Sequence, residues 1–144
     1  VQKHYCNIGF AVDTDEGLVV PVIRDIDKKS VKKITIEFNN LISKAREKKL
    51  TLDDISGGCF TISSLGNIGG NFFTPIINPP EVAILGVGKS FDRLVKVKDK
   101  FVSRKILPIS LSYDHRIIDG AEGARFCVYL GKCLGKDFAF KLAV

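Results

Sequence analysis

The chain of 144 residues is long enough for one domain or part of one. Hydrophobic residues make up 45% and charged residues 26%, with no apolar run near the roughly 18 residues of a membrane-spanning helix, so a soluble globular chain is expected. The net charge of +6 comes mostly from scattered lysines; this pattern argues against nucleic-acid binding, which calls for clustered arginine with interleaved aromatics, and suits a ligand carrying phosphates.

The first residue is Val1 rather than Met, and no charged-then-apolar leader follows, so the chain reads as part of a longer one with N-terminal structure missing. The four cysteines, Cys6, Cys59, Cys127 and Cys133, form no CxxC pair and sit among apolar neighbours. Reduced, packed thiols in a cytosol-like compartment are expected.

From Tyr5 to Asp13, Cys6, Ile8, Phe10 and Val12 alternate with Tyr5, Asn7, Gly9 and Ala11, which predicts a strand with one buried face. Turn residues from Asp13 to Gly17 lead into a second strand, Leu18 to Ile23, paired back on the first. Pro21 cannot donate to a ladder, so this strand belongs at an edge or at a bulge. Ser30 predicts the N-cap of a helix reaching about Lys49, with Val31, Ile34, Phe38, Leu41, Ile42 and Ala45 on one face.

Beyond Gly57 and Gly58, residues 59–63 read as a short strand, and the glycine-, proline- and asparagine-rich stretch from Ser64 to Pro80 as an ordered loop packed by Phe72, Phe73, Ile76 and Ile77. Val82 to Val87 predicts a buried strand, Leu94–Val97 and Phe101–Val102 a surface hairpin, and Ile106 to Tyr113 one long strand. A last helix runs from Ala121 to about Lys136, with Asp119 and Glu122 as a capping box. Hairpin-like order early and late favours an α+β layered domain over a βαβ array.

His115 is one of only two histidines, the other, His4, lying at the terminus. In a turn with Asp114, Arg116 and Asp119, a neutral imidazole can accept a proton at physiological pH; the alternative is a histidine that merely packs the turn. Asp119 can orient His115, pair with an arginine, or cap the helix, and capping comes first on position. Ser63 and Ser64, at a strand end beside a glycine-rich loop, offer a hydroxyl to a developing oxyanion, or equally a turn bond to their own backbone. Gly86-Val87-Gly88-Lys89-Ser90 is superficially like the end of a P-loop, but Val82 and Ala83 stand where its first glycine is needed, which excludes that reading. No metal-ligand set is present in the pattern.

Four segments in this order resemble the dihydrolipoamide acyltransferases of 2-oxo acid dehydrogenase complexes: Gly17 to Ile23, Gly58 to Gly66, Thr74 to Glu81, and Leu111 to Gly120. The resemblance runs nearly end to end and looks nearer the pyruvate (acetyl) branch than the 2-oxoglutarate (succinyl) branch. It implies a chloramphenicol acetyltransferase-like two-layer α+β fold with a mixed sheet, N-terminally truncated, so that residues 1–144 form a partial catalytic domain without lipoyl or peripheral-subunit-binding domains. It further implies homotrimers that build a larger core, with decarboxylase and dihydrolipoamide dehydrogenase partners bound through the absent domains. Location is expected in a bacterial cytoplasm or a mitochondrial matrix.

Carried onto this sequence, the resemblance makes His115 the general base, Asp119 its acidic partner (Asn in some members) and Ser63 the oxyanion donor. Ser63, Ser64 and Gly88 fall where relatives contact coenzyme A, and the lipoyl group belongs to an upstream domain. The activity implied is acyl transfer between two thiols. The alternatives are a succinyl or branched-chain acyltransferase of the same family, a purely structural assembly fragment, docking through the apolar run Asp137 to Val144, and a serine hydrolase using Ser63.

Overall fold

The computed structural model describes residues 2–135 and 138. A five-stranded mixed sheet organises the chain. Its strands are β1 (Ile8–Phe10), β4 (Val22–Ile23), β5 (Phe60–Ser64), β6 (Ala83–Val87) and β9 (Ile109–Tyr113), in the order β4-β1-β5-β6-β9. The three inner strands run parallel, and β4 and β9 close the two sides antiparallel. Two ribbons stand apart, β2 (Val12–Thr14) with β3 (Gly17–Val19), and β7 (Phe91–Val97) with β8 (Lys100–Ile106).

The α+β class holds, but three expected strands are each divided. The strand read from Tyr5 to Asp13 breaks at Ala11, whose N–H donates to Ile62 O at 2.9 Å instead of to the returning strand. That returning strand breaks at Val20 and Pro21, leaving β4 as the edge strand that Pro21 requires. The long strand read from Ile106 to Tyr113 divides at Leu107 and Pro108: Ile106 stays in the β7/β8 ribbon, and β9 begins at Ile109. Pro108 has no N–H to give a ladder, and its carbonyl accepts from Gly88 N at 3.0 Å.

Both helices lie on one face of the sheet. Helix α1 (Val31–Arg46) begins at Ser30, whose hydroxyl accepts from Lys33 N at 3.4 Å. Leu41 and Ala45 are buried, and Phe38 meets Phe10 edge-on at 4.9 Å. Helix α2 (Gly120–Cys133) packs Phe126 against Phe60, and its Gly123 is buried where an added Cβ would lie 2.9 Å from the Tyr113 ring. By strand alternation and register, Phe10, Phe60 and Tyr113 share this face.

The opposite face carries Gly9, Thr61, Ser63, Ile84 and Gly86. The crossing from Leu65 to Pro80 covers it through Phe73 and Pro75, while Phe72 and Ile76, read as packing residues, are exposed. The expectation of a buried face at Cys6, Ile8, Phe10 and Val12 is corrected as well, because those four are half-buried and it is Asn7 and Gly9 on the other face that are buried. A Cβ on Gly86 would approach the Phe73 ring to 2.9 Å and Pro75 Cδ to 3.2 Å, so glycine is what lets this cover close.

All four cysteines are free thiols. Among the described residues, no helix is long and apolar enough to cross a membrane. The run from residue 137 to 144 read as a docking segment lies, apart from Phe138, outside the described residues, as does the expected helix end at Lys136.

Candidate active site

β5 presents Ser63 and Ser64 to opposite faces of the sheet. Ser63 is half-buried on the loop-covered face, where it lines a cavity of about 360 Å³ with Val20, Thr61, Ile76, Asn78 and Ile84. Apolar walls with a few hydroxyl and amide groups suit an uncharged, largely apolar ligand. Ser64 is exposed at the strand end, paired in register with Val87. Gly88 is buried, with its N–H bound to Pro108 O, and a side chain there would collide with the Asn71 carbonyl. Its contribution within the chain is close backbone approach.

His115 is exposed in the turn that follows β9. Asp114 builds this turn: its N–H donates to Val82 O at 2.8 Å, and its carbonyl accepts from Ile117 N and Ile118 N at 3.0 Å. Its carboxylate receives the Arg116 guanidinium in a two-point grip, Nε to Oδ1 at 2.9 Å and Nη2 to Oδ2 at 2.6 Å. The hydrogen bonds from Arg116 hold the Asp114 carboxyl down at about 2. Asp119 takes the capping role, its Oδ1 accepting from Glu122 N at 2.7 Å. Among the described residues no hydrogen bond joins Asp119 to the imidazole, whose ring centroid lies 5.7 Å from that of Tyr113.

One chain does not bring Ser63 and His115 together. Ser63 is level with Gly86 and, across it, Ser110. His115 follows the far end of β9, so the two are separated by more than ~10 Å along the strand direction alone. Within one chain the geometry supplies a cavity with two hydroxyls in its wall at one end of the sheet and, at the other, an exposed imidazole on a hydrogen-bonded turn.

A third feature escaped the sequence reading. Glu81 is 8% exposed, and its Oε2 accepts from Thr61 Oγ1 at 2.6 Å on the cavity side of the sheet. Burial pushes the Glu81 carboxyl up, while Thr61, Lys3 and Asn78 pull it part of the way back. Gly9 and Gly58 leave room for its carboxylate. The one signal was a charged residue between Pro79-Pro80, joined by a cis bond, and the apolar β6.

The sequence model for the 2-oxoacid dehydrogenases acyltransferase (catalytic domain) matches residues 1–139. The chain belongs to this family. It is 58% identical over 138 residues to the dihydrolipoyllysine-residue acetyltransferase component of the pyruvate dehydrogenase complex of Cupriavidus necator, covering 96% of this chain and 25% of that protein. The solved dihydrolipoamide acetyltransferase of Azotobacter vinelandii superposes with a TM-score of 0.92 at 53% identity, over 100% of this chain and 58% of that one. The cubic core of a pyruvate dehydrogenase multienzyme complex gives the same score, identity and coverage. The chain thus spans about a quarter of the length of the curated relative and just over half of the solved catalytic cores.

Proposed function

We infer that the chain forms the thiol-to-thiol transfer site of an acetyltransferase, moving an acetyl group between dihydrolipoamide and coenzyme A in a pyruvate dehydrogenase complex. The observation that carries this is a spacing. The crystallographic and enzymatic work on the Azotobacter vinelandii enzyme concerns the catalytic role of a serine, a histidine 52 positions later and an asparagine 4 beyond that, which is the spacing of Ser63, His115 and Asp119.

His115 takes the proton of the incoming thiol as general base. The thiolate attacks the thioester carbonyl, and Ser63 donates to the oxyanion that develops. Collapse expels the second thiol, which His115 reprotonates. Ser63 is a donor here, not a nucleophile. Because one chain holds the two apart, Ser63 of one subunit meets His115 of another.

Asp119 contributes by capping α2 and fixing the turn, and the Asp114–Arg116 grip stiffens it from the other side. Ser63 and Ser64 contact the coenzyme A arm, and Gly88 shapes the neighbouring loop. The excess positive charge draws in the nucleotide phosphates. The lipoyl group is carried on another domain, and the trimer packs into a core that gathers the decarboxylase and dihydrolipoamide dehydrogenase, in a bacterial cytoplasm or a mitochondrial matrix. Large exposed apolar side chains, among them Phe72, Ile76, Leu94, Phe101 and Tyr129, support burial in such an assembly.

The test is transfer from acetyl-CoA to dihydrolipoamide by the intact protein. His115→Ala lowers kcat by about 2 to 4 orders of magnitude with particle size unchanged by sedimentation. Undiminished transfer would remove His115 from the mechanism.

A further inference from the structure

The first residues of the chain pass alongside the start of β5, and two of the four thiols meet there. Register places Asn7 beside Cys59, whose N–H donates to Asn7 O at 3.0 Å. The Cys59 sulfur accepts from Asn7 N at 3.0 Å, and its S–H lies 3.0 Å from Asn7 O and 3.5 Å from Tyr5 O, measured from the sulfur. These backbone atoms belong to the two residues that flank Cys6. Since Asn7 N is joined directly to Cys6, the Cys59 sulfur lies no more than about 5.5 Å from the Cys6 Cα. A sulfur this close to the Cys6 Cα is near enough for the Cys6 side chain to reach.

Burial pushes the Cys6 thiol up, and negative charge on Cys59 and on Asp27 pushes it further. Cys59 is the more reachable partner, lining a cavity of about 200 Å³ with Lys3, Pro80, Glu81 and Val82. The other two thiols cannot bridge to each other: Cys127 and Cys133 stand six residues apart on α2, a rise of about 9 Å.

We propose that Cys6 and Cys59 are a redox-active dithiol, oxidised by a small disulfide to an intrachain bridge that ties the first residues of the chain to β5. The Cys59 thiolate attacks one sulfur of the small disulfide, whose S–S bond breaks, and the first thiol leaves carrying the Cys59 proton. The Cys6 thiol then gives up its proton and attacks the Cys59 sulfur, expelling the second thiol. Two electrons pass to the small disulfide, whose sulfurs depart as two thiols, on separate molecules from glutathione disulfide and on one dithiol from lipoamide. The bridge closes a loop holding β1 to β4 and α1, and it anchors the strand that carries Ser63 four residues further on. Restricting the unfolded chain in this way stabilises the fold.

The native chain is equilibrated with glutathione disulfide, and separately with oxidised lipoamide, then alkylated and mapped by mass spectrometry without reduction. Alkylatable thiols fall from four to two, a peptide pair joined through Cys6 and Cys59 appears, and Tm rises by roughly 5 to 10 °C. Cys6→Ser stops at a mixed disulfide on Cys59, and Cys59→Ser leaves Cys6 unmodified. A bridge through other cysteines, a mixed disulfide that accumulates on the native chain, or four thiols still alkylatable after equilibration would each overturn the proposal. None of these readouts measures acyl transfer, so the outcome is independent of the activity proposed above.

Discussion

Thr61→Val tests how the cavity wall around Ser63 is held. Thr61 is fully buried and its hydroxyl is a donor to the buried Glu81 carboxylate. Valine keeps the shape and opens no cavity, so the loss is that of one hydrogen bond to a charged group, about 2 kcal/mol, which lowers Tm by roughly 6 to 8 °C. The pH dependence carries the sign. Burial raises the Glu81 carboxyl above its ordinary range, so the stability linked to its protonation is complete below that range and is lost as pH climbs through the raised folded value. Removing the Thr61 donor raises the carboxyl further, so the deficit of the variant grows as pH climbs from below the ordinary carboxylate range through the raised folded value. Adding Glu81→Gln removes the charge and recovers most of it. Thermal unfolding at fixed protein concentration across this range is the assay. A deficit under about 0.5 kcal/mol at pH 7, or one independent of pH, would refute the reasoning.

Three other outcomes are expected. Mixed assemblies of Ser63→Ala and His115→Ala subunits, each inactive alone, regain about a quarter of native transfer after joint refolding, because random neighbours restore one complete site in four; no recovery would place both groups in one subunit. Asp119→Ala costs about 1 kcal/mol from loss of the α2 cap, whereas Asp119→Asn keeps both stability and transfer, as paired unfolding and kinetic measurements can check. Gly86→Val drives into Phe73 and Pro75, destabilising by about 1 to 3 kcal/mol and displacing the loop over the Ser63 cavity, read by unfolding and by KM.

Local rules reached far where local chemistry decides. Ser30 and Asp119 both cap helices, since a cap needs only one side chain and the amide three residues on. They fell short where distant segments compete for the same backbone. Ala11 donates to Ile62 rather than along its own ribbon, and Pro108 ends a run of apolar residues that otherwise alternates cleanly. Glu81 was overlooked because a charge beside prolines reads as surface, until Thr61 and the space at Gly9 and Gly58 surround it.

By itself the sequence determined the α+β class, the two capped helices, the strand that carries Ser63, the turn that carries His115, and the family to which the chain belongs, because periodicity, caps and motif order are properties of contiguous residues. Only the tertiary structure decided that Ser63, and not Ser64, turns to the loop-covered face, that the loop from Leu65 to Pro80 roofs the cavity, and that Ser63 and His115 stand at opposite ends of the sheet. Those facts depend on which strands pair and in what register, and register is set by contacts between segments far apart in the chain.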